Sequence, residues 1–266
     1  MSIITRRTFL SCVGVAAAAA DPAIEKGKQI VAEAVAALGG DAFLKVKDRL
    51  EEGRVYSFYR EQLSGLSRAK IYTQYLDKPS DKGLAVRERQ AFGKDEDTAV
   101  LFDEKGEGWD ITFRGARPMP AETMQRYLES TPRNILYLIR HRLQEPGMVI
   151  EAAGTEVLVN EPVNLVDFTD KDNRTVTVYF HYSTKLPIRQ KFYRRDPLTK
   201  ERFEEVTLFS KYRDVGGGVK WPMAIRRERD GEKIYEIFSE KVTVNLNLND
   251  AIFSLPADIK KLNGTG

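Results

Sequence analysis

The sequence predicts an α+β protein that is mainly β, built as a long antiparallel meander with few helices. From about residue 50 the apolar residues recur with a period of two, in short runs rich in Tyr, Phe, Val, Ile and Thr. Polar or glycine-containing turns separate these runs at regular spacing, without the intervening helices that parallel βαβ units require. Helical texture is confined to a segment before residue 50 and to one interruption at about 118–144.

The chain opens with an export leader, residues 1–20. Two arginines precede an uncharged apolar run from Phe9 to Ala20, which is shorter than the roughly 20 residues of a membrane-spanning helix and suits a secretory signal. Thr5-Arg6-Arg7-Thr8-Phe9-Leu10 resembles the twin-arginine signature, the general export route being the alternative, and Ala16–Ala20 offers a cleavage site near Ala20. The single cysteine, Cys12, lies inside the apolar run after Phe9-Leu10-Ser11, a poor lipobox, and is expected to leave with the leader. The alternative keeps Cys12 as an acylated membrane anchor. The whole chain carries 42 Lys+Arg and 39 Asp+Glu; removing Arg6 and Arg7 leaves 40 against 39, so the formal charge falls from +3 to +1. Near-neutrality argues against nucleic acid as a partner. A 42% apolar composition fills a core, and the expectation is a single domain over 21–259 followed by a tail at 260–266.

Asp21 and Pro22 read as the cap and first residue of an amphipathic helix with Ile24, Ile30, Val31, Ala34, Val35 and Leu38 on one face, closed by Gly39-Gly40. Asp41 caps a short turn carrying Phe43, Leu44 and Val46. Strand-like runs follow, and Asp172-Asn173, Gly216-Gly217-Gly218 and Asp230-Gly231 are legible turns between them. In "RTVTVYFHY", Val176, Val178, Phe180 and Tyr182 share one face and Thr175, Thr177, Tyr179 and His181 the other. In the interruption Pro118 and Pro120 break the chain and Thr131-Pro132 starts a helix. Ile135, Leu136, Leu138, Ile139 and Leu143 form its apolar stripe, with Arg133, Arg140 and Arg142 elsewhere. That helix reads either as a cover over an apolar cavity or as permanently packed. Its arginines offer a third use, against an anionic membrane.

Catalytic chemistry finds little support. The two histidines, His141 and His181, fall on unrelated elements, and no cysteine survives the leader, so no metal site is expected. No G-x-G-x-x-G, P-loop or G-x-S-x-G stretch occurs. Glu204-Glu205 and Asp167 with Asp170 are weak acid/base candidates, because adjacent strand residues point to opposite faces. The expectation is a non-enzyme without cofactor.

Three stretches carry a family resemblance. "TAVLFDEKGEGWDITF", "YSTKLPIRQKFY" and "VTVNLNLNDAIFSLPADI" resemble, respectively, a strand, Asp/Gly turn and tryptophan strand; a Leu-Pro hairpin; and a C-terminal strand with a Phe-x-x-Pro ending. Together with the element order they are similar to the periplasmic lipoprotein-carrier superfamily, the LolA/LolB-like proteins. The resemblance implies an unclosed, strongly curved antiparallel β-barrel with helices covering its open side and an apolar cavity. It also implies a cavity arginine, for which Arg87 and Arg89 lie in the matching region; extra charged hairpins near 194–204 and 226–233 depart from the pattern.

Alternation then selects Tyr56, Phe58, Ile71, Tyr75, Val178, Phe180 and Phe192 as cavity lining, with Leu136 and Ile139 from the lid. The implied function is a periplasmic, monomeric carrier of lipid, lipoprotein acyl chains or another hydrophobic ligand, with an inner- or outer-membrane delivery partner. The alternative is an envelope sensor that binds a polypeptide. On the lid reading, Ile139→Asp weakens binding and leaves the meander folded.

Overall fold

A computed structural model of the chain describes residues 21–81, 83–196 and 199–263, so the stretch read as a leader, with Cys12, lies outside the described residues. Helix α1 (Pro22–Leu38) starts where Asp21 accepts a 2.9 Å hydrogen bond from the Ala23 amide, and Pro22 occupies the first turn, where no amide is needed. It stops at Gly39, whose φ of 121° suits glycine, with the Gly39 and Gly40 amides returning to the Ala36 and Val35 carbonyls. The short α2 (Asp41–Leu44) buries Phe43.

The described residues contain thirteen strands. The first six are β1 (Asp48–Tyr59), β2 (Gln62–Tyr75), β3 (Val86–Phe92), β4 (Thr98–Phe102), β5 (Gly108–Thr112) and β6 (Gly115–Pro118). After the helical crossing come β7 (Val149–Leu158), β8 (Glu161–Thr169), β9 (Thr175–His181), β10 (Pro187–Arg195), β11 (Arg202–Asp214), β12 (Lys220–Arg229) and β13 (Glu232–Val244). The predicted turns connect them: Asn173, Asp230 and Gly216–Gly218 all take positive φ.

All thirteen strands form one antiparallel sheet in the order β6-β5-β4-β3-β2-β1-β13-β12-β11-β10-β9-β8-β7. The chain enters at the middle with β1, steps outward to β6, crosses, re-enters at β7, and steps back until β13 pairs with β1. The end strands β6 and β7 do not pair, so the barrel is unclosed. The helical interruption is the connection between those two ends, which is the topological reason it covers the open side. It holds α3 (Ala121–Ser130), a 3-10 turn at Thr131–Arg133, and α4 (Ile135–His141).

Helix α4 begins later than Thr131-Pro132. Thr131 continues the helical backbone of α3 (φ −61°, ψ −45°), whereas a capping residue needs an extended backbone; Asn134 supplies it and accepts the Leu136 amide at 2.9 Å.

The main core lies where α1 and α4 meet the sheet. Ile30, Val31, Ala34 and Leu38 of α1 join Ile135, Leu138 and Ile139 of α4 over Val166 and Phe168 of β8, Val176, Val178 and Phe180 of β9, and Phe209 of β11. Each buried phenylalanine contributes roughly 1.5–3 kcal/mol. A smaller cluster of Val163, Leu165 and Tyr179 covers the opposite face, so β8 and β9 are buried on both sides. This double burial explains why their sequences are partly apolar at both parities.

The β6 edge is paired by the chain's own C-terminal segment. The Ala116 amide donates to Lys260 O at 2.9 Å and the Leu262 amide to Ala116 O at 2.8 Å, at the start of the stretch read as a tail. The pairing removes an open template for association.

Candidate ligand-binding site

The inner face of the sheet divides into two parts. Under α1 and α4 it is filled. Beside them a cavity of about 350 Å³ remains, walled by β1, β2, β3 and β10–β13 and roofed by α3 and α4. Strands β3 and β10 stand six positions apart in the sheet, about 29 Å if it were flat, yet both line this cavity. The sheet is therefore strongly curved. Tyr75, Leu136 and Trp221 mark the boundary, since they also line a void of only about 10 Å³ on the filled side.

Alternation along each strand decides which side chains reach the cavity. Arg49 and Glu51 of β1 do so, as do Ile71, Thr73 and Tyr75 of β2 and Val86, Glu88 and Gln90 of β3. Of the residues expected to line it, Ile71, Tyr75, Phe192 and Leu136 are there.

The others lie elsewhere. Tyr56 and Phe58 have the parity opposite to Arg49 and Glu51; the Tyr56 ring meets Phe238 edge-on at 5.8 Å, and the Lys233 ammonium sits 3.9 Å from the Phe58 ring centre. A one-residue change of parity moves every side chain to the other face. Val178 and Phe180 are on the inner face but beneath the helices, at 0% and 1% exposure, and Ile139 shares that core at 2%. Arg87 and Arg89 alternate with the inward Glu88; Arg87 bonds to Gln74 and Asp250 and lies 5.1 Å from the Phe253 ring.

The arginine of the cavity is Arg49. Its guanidinium, 7% exposed, pairs with Glu51, donates to Thr73 Oγ1 at 2.8 Å and stacks 4.1 Å from the Trp221 ring. Burial opposes its charge, but Tyr75, Glu51 and Glu88 around it hold its pKa raised. The Thr73 hydroxyl donates to Glu88 at 3.4 Å, and Ser239 donates to Glu51. Farther out Arg229 bonds Glu205 at 3.0 Å. Glu204, the sequence neighbour of Glu205, accepts instead from the Tyr193 hydroxyl at 3.0 Å. The site thus combines apolar walls with a polar, hydrogen-bonded floor.

Sequence reasoning missed Arg49, Glu51, Glu88 and Gln190 because it chose the inward parity by apolarity. In "DRLEEGRVYSFY" the signal was present: Arg49 and Glu51 share the parity of the buried Val55.

Helix α4 is fastened at both sides of the opening. Gln190 Oε1 of β10 accepts the Ile135 amide at 2.7 Å, its Nε2 donates to Arg133 O at 3.2 Å, and the Tyr137 hydroxyl accepts the Ala85 amide at 3.0 Å just before β3. The three arginines of the interruption act internally. Arg140 donates to Phe43 O and Val46 O, Arg142 to Asp170 and Pro132 O, and the Arg133 guanidinium lies 5.1 Å from the Phe192 ring. These contacts leave them unsuited to the membrane role. Helix α3 is held more lightly, burying Met124 and stacking Tyr127 on Phe102 at 3.7 Å.

His141, at the end of α4, sits between the rings of Tyr75 and Tyr137, at 6.1 and 4.7 Å. Burial, and then the charge of Arg140, lower its pKa from 6.5 to about 4. The unfolded imidazole takes its proton first, so stability is full above about pH 7, falls as pH drops through 6.5, and levels off below about 4. The expected loss from this group is on the order of 2–3 kcal/mol. Denaturant melts of the wild type and His141→Phe across that range check it: the variant loses less on acidification. Among the described residues no group of three or more His, Cys, Asp or Glu is placed to hold a metal ion.

Solved structures share this fold. A DUF1329 family protein from Desulfovibrio piger superposes with a TM-score of 0.57 at 14% identity, over 87% of this chain and 97% of that one. A LolA superfamily protein from Nitrosomonas europaea gives 0.50 at 11%, over 86% and 97%. The chain has the LolA-like fold. A domain from Vibrio parahaemolyticus, described as that of an outer membrane lipoprotein-sorting protein, shares this LolA-like fold at a TM-score of 0.56 and 13% identity, over 86% and 97%. No protein-family model and no curated protein matches the sequence. At these identities the likeness covers the LolA-like architecture and not the cargo.

Proposed function

We propose that this protein is an exported, non-catalytic carrier that shelters a hydrophobic or lipidated ligand in the cavity and delivers it to a membrane-associated partner. The observation that carries the reading is the 350 Å³ recess left open beside a filled core, with Ile71, Phe192, Ile225 and Ile237 on its walls. Each methylene moved there from water contributes about 0.8 kcal/mol. The leader-like first 20 residues support a periplasmic location. Among the described residues no helix is long and apolar enough to cross a membrane.

Mass spectrometry of organic extracts from protein purified out of its native envelope tests the reading: a stoichiometric acyl-chain compound is expected, and an empty extract counts against it. Ile71→Trp gives a second check. The larger ring takes up cavity space and also presses on the Val55, Ala69 and Ile237 cluster around Ile71, so it should cost about 1–3 kcal/mol while ligand recovery falls to near zero. Undiminished recovery would place the ligand elsewhere.

The sensor reading draws on a different surface. The β1–β2 hairpin presents Tyr59, Leu63 and Leu66 at 66%, 56% and 59% exposure, an apolar patch where a polypeptide would sit. An empty cavity together with a bound polypeptide that is lost in Leu63→Asp favours that reading.

A further inference from the structure

The cavity has spare hydrogen-bond capacity of one polarity. Arg49 Nε, Arg126 Nε, the Tyr127 hydroxyl and Trp221 Nε1 are buried and have no hydrogen-bond partner, and all four residues line the cavity. Arg49 and Trp221 are 7% and 6% exposed. Leaving a buried donor unpaired is costly, so such groups are normally matched. The acceptors here are already matched: Glu51 by Arg49 and Ser239, Glu88 by Thr73 and Gln90, and Glu205 by Arg229.

The charged groups leave one guanidinium open. Of the four arginines that line the cavity, Arg49, Arg126 and Arg229 are ion-paired, to Glu51, Glu122 and Glu205. Arg227 makes no ion pair among the described residues and lies 5.4 Å from the Tyr235 ring. The volume limits what accompanies the head. About 350 Å³ holds on the order of a dozen groups of water size, taking ~30 Å³ each, which is one medium-length chain and not several.

We propose that the cavity selects a single-chain amphiphile whose head is an anionic oxygen group, a carboxylate or a phosphate. The proposal rests on the carrier reading and narrows its cargo. The head oxygens accept from the free donors of Arg49, Trp221 and Tyr127, and the chain lies along Ile71, Ile225 and Ile237. Burial, with Glu88 adding to it, holds the Tyr127 hydroxyl well above the ordinary tyrosine range, so it keeps the proton it donates.

The test is titration calorimetry of the delipidated full chain with laurate, dodecyl phosphate, dodecanol and methyl laurate. Laurate or dodecyl phosphate is expected to bind about tenfold or more tightly than the two uncharged compounds. The stronger of the two acids identifies the carboxylate or the phosphate as the head. Tyr127→Phe keeps the ring stack on Phe102, and Trp221→Phe keeps an apolar ring. Each is expected to weaken binding of the acid about threefold or more and to weaken dodecanol by less, because its neutral oxygen gains less from the same donor, so the preference for the acid falls. Equal affinity for all compounds overturns the anionic head and leaves the carrier reading standing. Binding of none of them overturns both, and an undiminished preference in both variants overturns the assigned donors.

Discussion

An Ile139→Asp variant is expected to lose its cooperative fold. On the lid reading this change spares the strands, but Ile139 is 2% exposed inside the cluster that joins α1, α4 and the inner faces of β8 and β9. Removing most of an isoleucine from such a site costs about 2–5 kcal/mol. The new carboxylate adds a penalty of several kcal/mol if it stays charged without a partner, or must take up a proton. Together these rival the 5–15 kcal/mol that holds a typical domain. Circular dichroism and urea denaturation decide the matter: a wild-type midpoint would show α4 to be a separable cover.

Gly27→Val is expected to destabilise by about 3 kcal/mol or more, and Gly27→Ala by about 2. At the middle of an exposed helix, Gly→Ala normally stabilises by about 1 kcal/mol. Here the sign reverses, because a Cβ at 27 stands 2.8 Å from Ala152 N and 2.9 Å from both Glu151 C and Ile150 O. Those are backbone atoms of β7, which cannot swing aside as a side chain would. Helix α1 must lift, drawing Ile30, Val31 and Ala34 partly out of the core. Urea midpoints measure the effect, and a stabilised Gly27→Ala would show that α1 does not seat on β7.

Both predictions come from contacts between segments far apart in the chain, and the same distinction separates what was legible from what was not. Asp21 and Gly39-Gly40 bound α1 as read, because capping depends on residues within a turn of each other. The turn at Asp230-Gly231 was legible for the same reason. Thr131-Pro132 misled because whether a residue caps a helix depends on the backbone entering it, and α3 delivers Thr131 already helical.

The cavity was only partly legible. Period-two alternation groups Ile71 with Tyr75 and Val178 with Phe180 correctly, but alternation is blind to what covers each face. Helices α1 and α4 cover the Val178 and Phe180 end, so those side chains became core while Ile71 and Tyr75 were left at an opening. In β1 the apolar Tyr56 and Phe58 faced away and the charged Arg49 and Glu51 faced in. Apolarity failed there because the buried charges meet partners on other strands, Thr73 and Ser239, that are invisible to a local reading.

By itself the sequence determined the antiparallel meander, its turns, the first helix and the place of the helical crossing, since each follows from period, caps and turn residues within a few positions. Tertiary structure alone decided that the crossing joins the two free ends of the sheet, that α1 fills one part of its inner face, and that Arg49 stands in the part left open. Those outcomes depend on how thirteen strands curve and which segments reach them, a matter of long-range packing that no local pattern encodes.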